Sequence, residues 1–188
     1  MSEPEPYLGM PVGRFLDELA AGRPAPGGGS AAALTVALAA GLCAMAARLS
    51  EGRLARAAEL AAQAEELRAG VAPLAQADAD GYRAVLEAHR LPPGTPGRAE
   101  AISAALSGAS AVPVQIVEAG VRVAGLAGRL AEEGNQNLRG DAETAALLAA
   151  AGARAAGGLV AINLAGARDD DRSAYVERLL RKLPPAAG

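Results

Sequence analysis

About 50 of the 188 residues are alanine, and this excess limits what the chain can fold into more than any other feature. Alanine loses no side-chain entropy in a helix and is the best helix former. Residues that favour strands are scarce: aromatics make up 2 % of the chain, with one Phe, three Tyr and no Trp. An all-α fold is therefore expected. Small side chains also let helix axes approach closely, so tight packing replaces bulky core residues. With 51 % apolar residues, a chain of this length can bury a core as one domain. No internal repeat or long linker divides residues 1–188, and the domain core is expected over about residues 11–183.

Charge and residue counts exclude several classes. There are 18 basic and 21 acidic residues, a net charge of −3. A nucleic-acid binder needs a basic face and usually aromatic stacking platforms, so none is expected here. The lone Cys43 cannot form an intramolecular disulfide framework or a cysteine zinc cluster. The lone His89 cannot supply a two-histidine metal site within one chain, and no metal is expected. The start, Met1-Ser2-Glu3-Pro4-Glu5-Pro6, lacks the basic and apolar segments of a secretory signal, so a cytoplasmic protein is expected. The uncharged run from Pro24 to Ala47 is long enough to span a bilayer. It opens Pro-Ala-Pro-Gly-Gly-Gly, however, and continues mostly as alanine, which is weakly hydrophobic for a lipid-facing span. A buried helix in a soluble protein is the expected outcome, with no membrane partner.

Periodicity and punctuation predict a bundle of about six helices with long, kinked central members. Residues 11–21 form a short amphipathic helix with Val12, Phe15, Leu16 and Leu19 on one face. Ser30 is placed to cap a second helix running to about Leu49. A third is expected over 52–89, kinked at Pro73, and a fourth over 97–133, interrupted near Pro113. Asp141 is placed to cap a fifth helix towards Ala167, and Asp169 to Asp171 open a last one ending near Leu183. The stretches 30–47 and 142–167 are apolar nearly all round, and one small bundle cannot cover both. A homodimer is expected to complete their burial.

Several residues could carry chemistry. Pro26-Gly27-Gly28-Gly29-Ser30 opens a long helix, where bare backbone N–H groups and the helix dipole suit an anionic or carbonyl-bearing ligand. It reads equally as a flexible connector with a serine cap. It is neither a Walker nor a dinucleotide loop, because no Gly-Lys-Ser/Thr follows and no strand precedes it. Asp78 and Asp80 interrupt an alanine-rich helix, and Asp78 shares a face with Tyr82. In a cleft, desolvation would raise the Asp78 pKa and fit it for acid–base work; otherwise it belongs to a solvated face. Asn135, Asn137 and Asp141 surround a helix entry, where they either grip a heterocycle or serve loop and cap. Asn163 sits in an apolar stretch and needs a partner if buried. His89 reads as a helix C-terminal group, Cys43 as inert core, and residues 51–68 as a solvated face.

These features fall in an order that resembles a known family. Phe15-Leu16-Asp17-Glu18-Leu19 followed by Pro26-Gly27-Gly28-Gly29-Ser30-Ala31-Ala32-Ala33 looks like the opening of the cyclodeaminase/cyclohydrolase family. This is the C-terminal domain of formiminotransferase-cyclodeaminase, also found as stand-alone bacterial methenyltetrahydrofolate cyclohydrolases. Asp78-Ala79-Asp80-Gly81-Tyr82 resembles its Asp-x-x-Ala-Phe segment, and Leu91-Pro92 its Leu-Pro-Lys turn. Ala111-Val112-Pro113 resembles its Val-Pro within a helix, Gly134-Asn135 through Asp141 its Gly-Asn…Ser-Asp stretch, and Ile162-Asn163-Leu164 its Ile-Asn-Leu. The likeness covers about residues 11–180. The chain departs from the pattern at Pro93, at Tyr82, at Gly140 and at Gly52-Arg53-Leu54-Ala55-Arg56, where a basic run with an aromatic is usual. Arg53, Arg56 and Arg98 remain as candidates for gripping a folate's glutamate carboxylates.

The resemblance implies an all-α homodimer that binds tetrahydrofolate derivatives in a cleft. It implies that Asp78 is the acid–base residue. It makes Pro26, Gly27, Gly28, Gly29, Ser30 and Tyr82 part of the substrate site, with Asn135, Asp141 and Asn163 as further candidates. The implied reaction is hydrolysis of 5,10-methenyltetrahydrofolate to 10-formyltetrahydrofolate, or else cyclodeamination of formiminotetrahydrofolate with loss of ammonia. Neither needs a metal or redox cofactor. Two readings of other classes stand beside these: a helical protein that binds folate without turning it over, and a purely structural helical dimer.

Overall fold

The computed structural model describes residues 5–167 and 170–184. Eight α-helices follow in order: α1 (Val12–Ala20), α2 (Gly28–Arg48), α3 (Ala57–Val71), α4 (Leu74–Arg90), α5 (Arg98–Ala109), α6 (Ala111–Glu133), α7 (Arg139–Asn163) and α8 (Arg172–Leu180). Short 3-10 turns lie at Tyr7–Gly9 and Gln136–Leu138, and there is no strand among the described residues. Joined at their kinks, α3 with α4 and α5 with α6 give the six helices read from the sequence.

The breaks differ from expectation in instructive ways. Pro73 does more than kink its helix: α3 ends at Val71 and α4 starts at Leu74, because proline offers no N–H to the turn before it. The residues 52–56 are turns rather than helix, and Arg56 takes a left-handed backbone just before α3. The fourth helix breaks at Ser110, and Pro113 lies inside the first turn of α6, where a missing N–H costs nothing. Ser30 is not the cap of α2; Gly27 is, and Ser30 is its third residue. Asp141 does not cap α7, which begins at Arg139 with Asp141 in its first turn. That helix stops at Asn163, not near Ala167. At α8 the Asp170 carboxylate accepts from the Arg172 backbone N–H at 3.0 Å, while Asp169 lies outside the described residues.

At the centre runs α2. Ala33, Val36, Ala39, Ala40, Cys43 and Ala47 on it are fully shielded from solvent, and α3, α4, α6 and α7 pack around it. Burial pushes the Cys43 thiol up to about 12, which leaves it protonated and unreactive. Three helical stretches, α2 among them, are long and apolar enough to cross a membrane by length and composition. Here most of α2 is buried against neighbouring helices, while Leu38 remains exposed.

Close approach is enforced by glycine where α7 crosses its neighbours. A Cβ on Gly120 of α6 would stand 2.8 Å from the Ala153 Cβ and 3.0 Å from the Ala149 carbonyl oxygen. A Cβ on Gly152 of α7 would stand 2.7 Å from Val36 Cγ2 and 3.1 Å from the Ala32 oxygen. Neither methyl nor backbone oxygen can swing aside, so any side chain must push two helices apart. Gly120→Val is expected to lower stability by about 1–3 kcal/mol or more, read as a shift of the urea midpoint. An unshifted midpoint would mean that α6 and α7 are not in contact at this level.

Candidate functional site

The start of α2, the middle of α4 and the end of α7 meet around one pocket. It encloses about 320 Å³ and is lined by Gly27, Gly28, Gly29, Asp78, Tyr82 and Asn163, with Pro24, Ala25, Ala79, Ala109, Pro113, Leu159 and Ile162 completing its walls. A wider depression of about 670 Å³ along α5 contains Glu100 and Asp170. The Asp170 carboxylate is committed to the Arg172 guanidinium and held down to about 2. A carboxylate so tied is a poor base, and the chemistry points to the smaller pocket.

Among the described residues, Asp78 is the only carboxylate on that pocket's wall. The α2 helix begins with three residues whose N–H groups have no partner within the helix. One of them, the Ser30 backbone N–H, lies beside the Asp78 carboxylate and favours its charged form. The carboxylate lies so close over Gly29 that a Cβ there would overlap its oxygens. Gly29 is thus required by the approach of a neighbouring helix's side chain. Two opposed effects act on Asp78. Burial raises its pKa and is the larger; the Ser30 N–H lowers it; the net direction is upward. A carboxylate raised in this way exchanges protons closer to neutrality than an exposed one.

The supporting contacts fix this geometry. The Ser30 hydroxyl, fully buried, donates to the Ala75 carbonyl on α4 at 2.7 Å. That bond ties the start of α2 to the helix that carries Asp78. It also corrects one expectation: the Ser30 side chain faces the protein interior rather than a ligand, and only its backbone meets the site. Pro26 is likewise buried and lies off the pocket wall. Tyr82, four residues after Asp78, is 43 % exposed and does line the pocket. Asp80 points away and pairs with Arg83 and with Gln76 Nε2 at 3.0 Å.

Asn135 and Asp141 are not brought to this pocket. They sit at the far end of α2 and α7, roughly 30 Å away given the rise per residue of a helix as long as α2. Asn135 is a corner post: its N–H donates to Ser50 Oγ at 2.9 Å, its amide donates to the Leu49 carbonyl at 3.0 Å, and its Oδ1 accepts from Arg53 at 3.0 Å. Those bonds fasten the α6–α7 corner to the end of α2. Conversely, sequence reasoning passed over Leu159, Ile162, Ala109 and Pro113. Leu159 was findable, since it lies one turn before Asn163 on the same helix face. Ala109 and Pro113 flank the break at Ser110, just before the Pro113 near which the sequence placed it.

The sequence profile of formiminotransferase-cyclodeaminase matches residues 11–182. The chain belongs to that family. It is 37 % identical over 179 residues to a methenyltetrahydrofolate cyclohydrolase from Methylorubrum extorquens, covering 90 % of this chain and 85 % of that one. It is 32 % identical over 186 residues to the formimidoyltransferase-cyclodeaminase of Sus scrofa, covering 94 % of this chain but only 34 % of that longer protein. The crystal structure of a formiminotetrahydrofolate cyclodeaminase from Thermotoga maritima superposes with a TM-score of 0.80 at 25 % identity, covering 94 % of this chain and 89 % of that one. The all-helical fold and the family read from the motifs are both borne out.

If the Gly29 approach orients Asp78, Gly29→Ala should turn the carboxylate away while the fold survives, since a side chain can rotate where a backbone cannot. The expected result is an unchanged circular dichroism spectrum with turnover down about 100-fold. Full activity in that variant would show that the contact does not set the geometry.

Proposed function

We propose that the protein is a folate-dependent one-carbon enzyme that hydrolyses 5,10-methenyltetrahydrofolate to 10-formyltetrahydrofolate. The observation that carries this reading is a single carboxylate, raised in pKa and held on a helix N-terminus, facing a pocket with no other charged residue among the described ones. The relative of that name, which this chain matches over most of both lengths, supports it.

The chemistry uses few parts. The methenyl carbon between N5 and N10 carries positive charge shared with both nitrogens. Ionised Asp78 stabilises that cation and accepts a proton as water adds to the carbon. The same carboxyl then gives its proton to N5 as the carbon–N5 bond breaks. The carbinol proton leaves to solvent, and the formyl group remains on N10. Tyr82 and Asn163 border the space for the bicyclic head, and the bare backbone of Gly27 to Gly29 lets that head approach closely. No step draws on a metal or redox cofactor, and we expect the enzyme in the cytoplasm.

Cyclodeamination is the second reading, favoured by the match to a cyclodeaminase structure. There N10 attacks the formimino carbon and ammonia departs, with the same carboxylate moving the proton. Ammonia release from formiminotetrahydrofolate distinguishes the two.

Purified protein should speed the loss of 5,10-methenyltetrahydrofolate absorbance, and Asp78→Asn should cut that rate by about 10²–10⁴-fold. Because the folded pKa is raised, the ionised carboxylate costs folding free energy at neutral pH, and this cost disappears when the group is protonated at low pH. Asp78→Asn should therefore melt at or above the wild-type temperature at pH 7. The acidic limb of kcat/KM should lie above the ordinary aspartate range and vanish in the variant. A fully active Asp78→Asn protein would falsify the assignment.

The proposal includes a homodimer formed through the outer faces of α2 and α7. Leu38 on α2 is 67 % exposed, and Leu147 and Ile162 on α7 are 70 % and 71 % exposed. Between those two, Ala151, Ala155 and Gly158 continue an uncovered apolar stripe at helical spacing. Such a stripe on two adjacent helices suits a self-complementary contact. Sedimentation should give a dimer, and Leu38→Glu should give a folded monomer. A monomeric wild type would sink this part.

A further inference from the structure

We propose that a second cavity, entered past Asn163, is the seat of the substrate's p-aminobenzoyl arm, an inference that rests on the folate reading above. Asn163 lines both the Asp78 pocket and a neighbouring cavity of about 220 Å³. That cavity is walled by Ile102 and Leu106 of α5 and by Leu164, with Ser103 and Ser107 on the same wall. Among the described residues no charged one lines it. In the methenyl compound the benzene ring hangs on N10, one bond from the reacting carbon. A site that holds this carbon at Asp78 must therefore pass the ring directly into an adjoining space. The Asp78 pocket, at about 320 Å³, is at the small end of ligand sites and suits the bicyclic head alone.

The lining of the second cavity fits a neutral aromatic ring bearing an amide. Ile102, Leu106 and Leu164 offer the apolar faces. Ser107 Oγ accepts from the Arg172 guanidinium at 2.6 Å, which leaves its own proton free for a carbonyl acceptor. At the junction, Asn163 is half-buried, and its side-chain amide makes no hydrogen bond among the described residues. A free amide at the neck between two cavities can address the substrate where head and arm join.

The test fills the cavity from its exposed wall. Ser103 is exposed on a helix none of whose residues is buried, so Ser103→Trp should fold normally. It is expected to raise KM for 5,10-methenyltetrahydrofolate about tenfold while kcat stays within about twofold, the signature of lost uniform binding. Free p-aminobenzoylglutamate should inhibit the wild type competitively and the variant about tenfold more weakly, whereas inhibition by 6-methyltetrahydropterin, which resembles the head alone, should not change. An unchanged KM, an arm fragment that never inhibits, or equal weakening of both fragments would overturn the assignment. A wild-type protein without activity on any folate is a separate result: it removes the proposed function and this inference with it.

Discussion

Alanine on every face of α2 is the constraint from which the rest of the structure follows. A helix of ordinary side chains keeps its neighbours about 8–10 Å from its axis. With methyl groups at Ala33, Ala39, Ala40 and Ala47, the neighbours of α2 close in, and glycines at the α6–α7 and α2–α7 crossings bring them nearer still. Burial of many small groups replaces burial of a few large ones, and the fit leaves little slack. The helix gains rigidity along its whole length, so its two ends are fixed points. At one end sits the Asp78 pocket, and at the other the Asn135 corner that anchors the α6–α7 turn.

The same smallness makes the site. A helix N-terminus presents partial positive charge only if side chains leave it accessible, and at α2 the first two residues have none. Asp78 can lie directly on that bare turn because Gly29 has no Cβ to displace it. The Ser30 hydroxyl, bonded to the Ala75 carbonyl, holds α4 at the required distance. Desolvation and hydrogen bonding then act against each other on one group. Desolvation is the larger of the two, so the net direction is upward. Rigidity of scaffold and tuning of charge come from one packing arrangement rather than from separate devices.

Much of this was legible in the sequence. Composition sufficed for the fold class, and the order of short motifs sufficed for the family. The pairing of Asp78 with Tyr82 followed from helical spacing. What local reading missed were choices settled by tertiary contact. Ser30 has the chemistry of an N-cap, yet Gly27 takes that place, and the hydroxyl serves a carbonyl 45 residues away in sequence. Asn135 has the chemistry of a ligand-binding amide, yet its hydrogen bonds go to Leu49, Ser50 and Arg53. In both cases the side chain's capacity was read correctly and its partner was not, because the partner comes from another helix. The position of Pro113 misled for a related reason. Proline breaks a helix only beyond the first turn, and the turn boundary was set by Ser110, whose hydroxyl accepts no cap bond but donates to the Leu106 carbonyl at 2.9 Å.

A core made of alanine has one further consequence, and it concerns the outside of the molecule. The outer faces carry few charges: α2 has Arg48 alone, and α7 beyond Glu143 has Arg154 alone. Large apolar side chains placed there, such as Leu38, Leu147 and Ile162, cannot turn inward, because the close-packed interior has no room for them. They remain outside, as an uncovered apolar stripe. Ile162 belongs to that outer stripe and to the wall of the Asp78 pocket at once. The stripe and the pocket wall thus meet at one residue, while burial within the single chain already suffices to raise the Asp78 pKa.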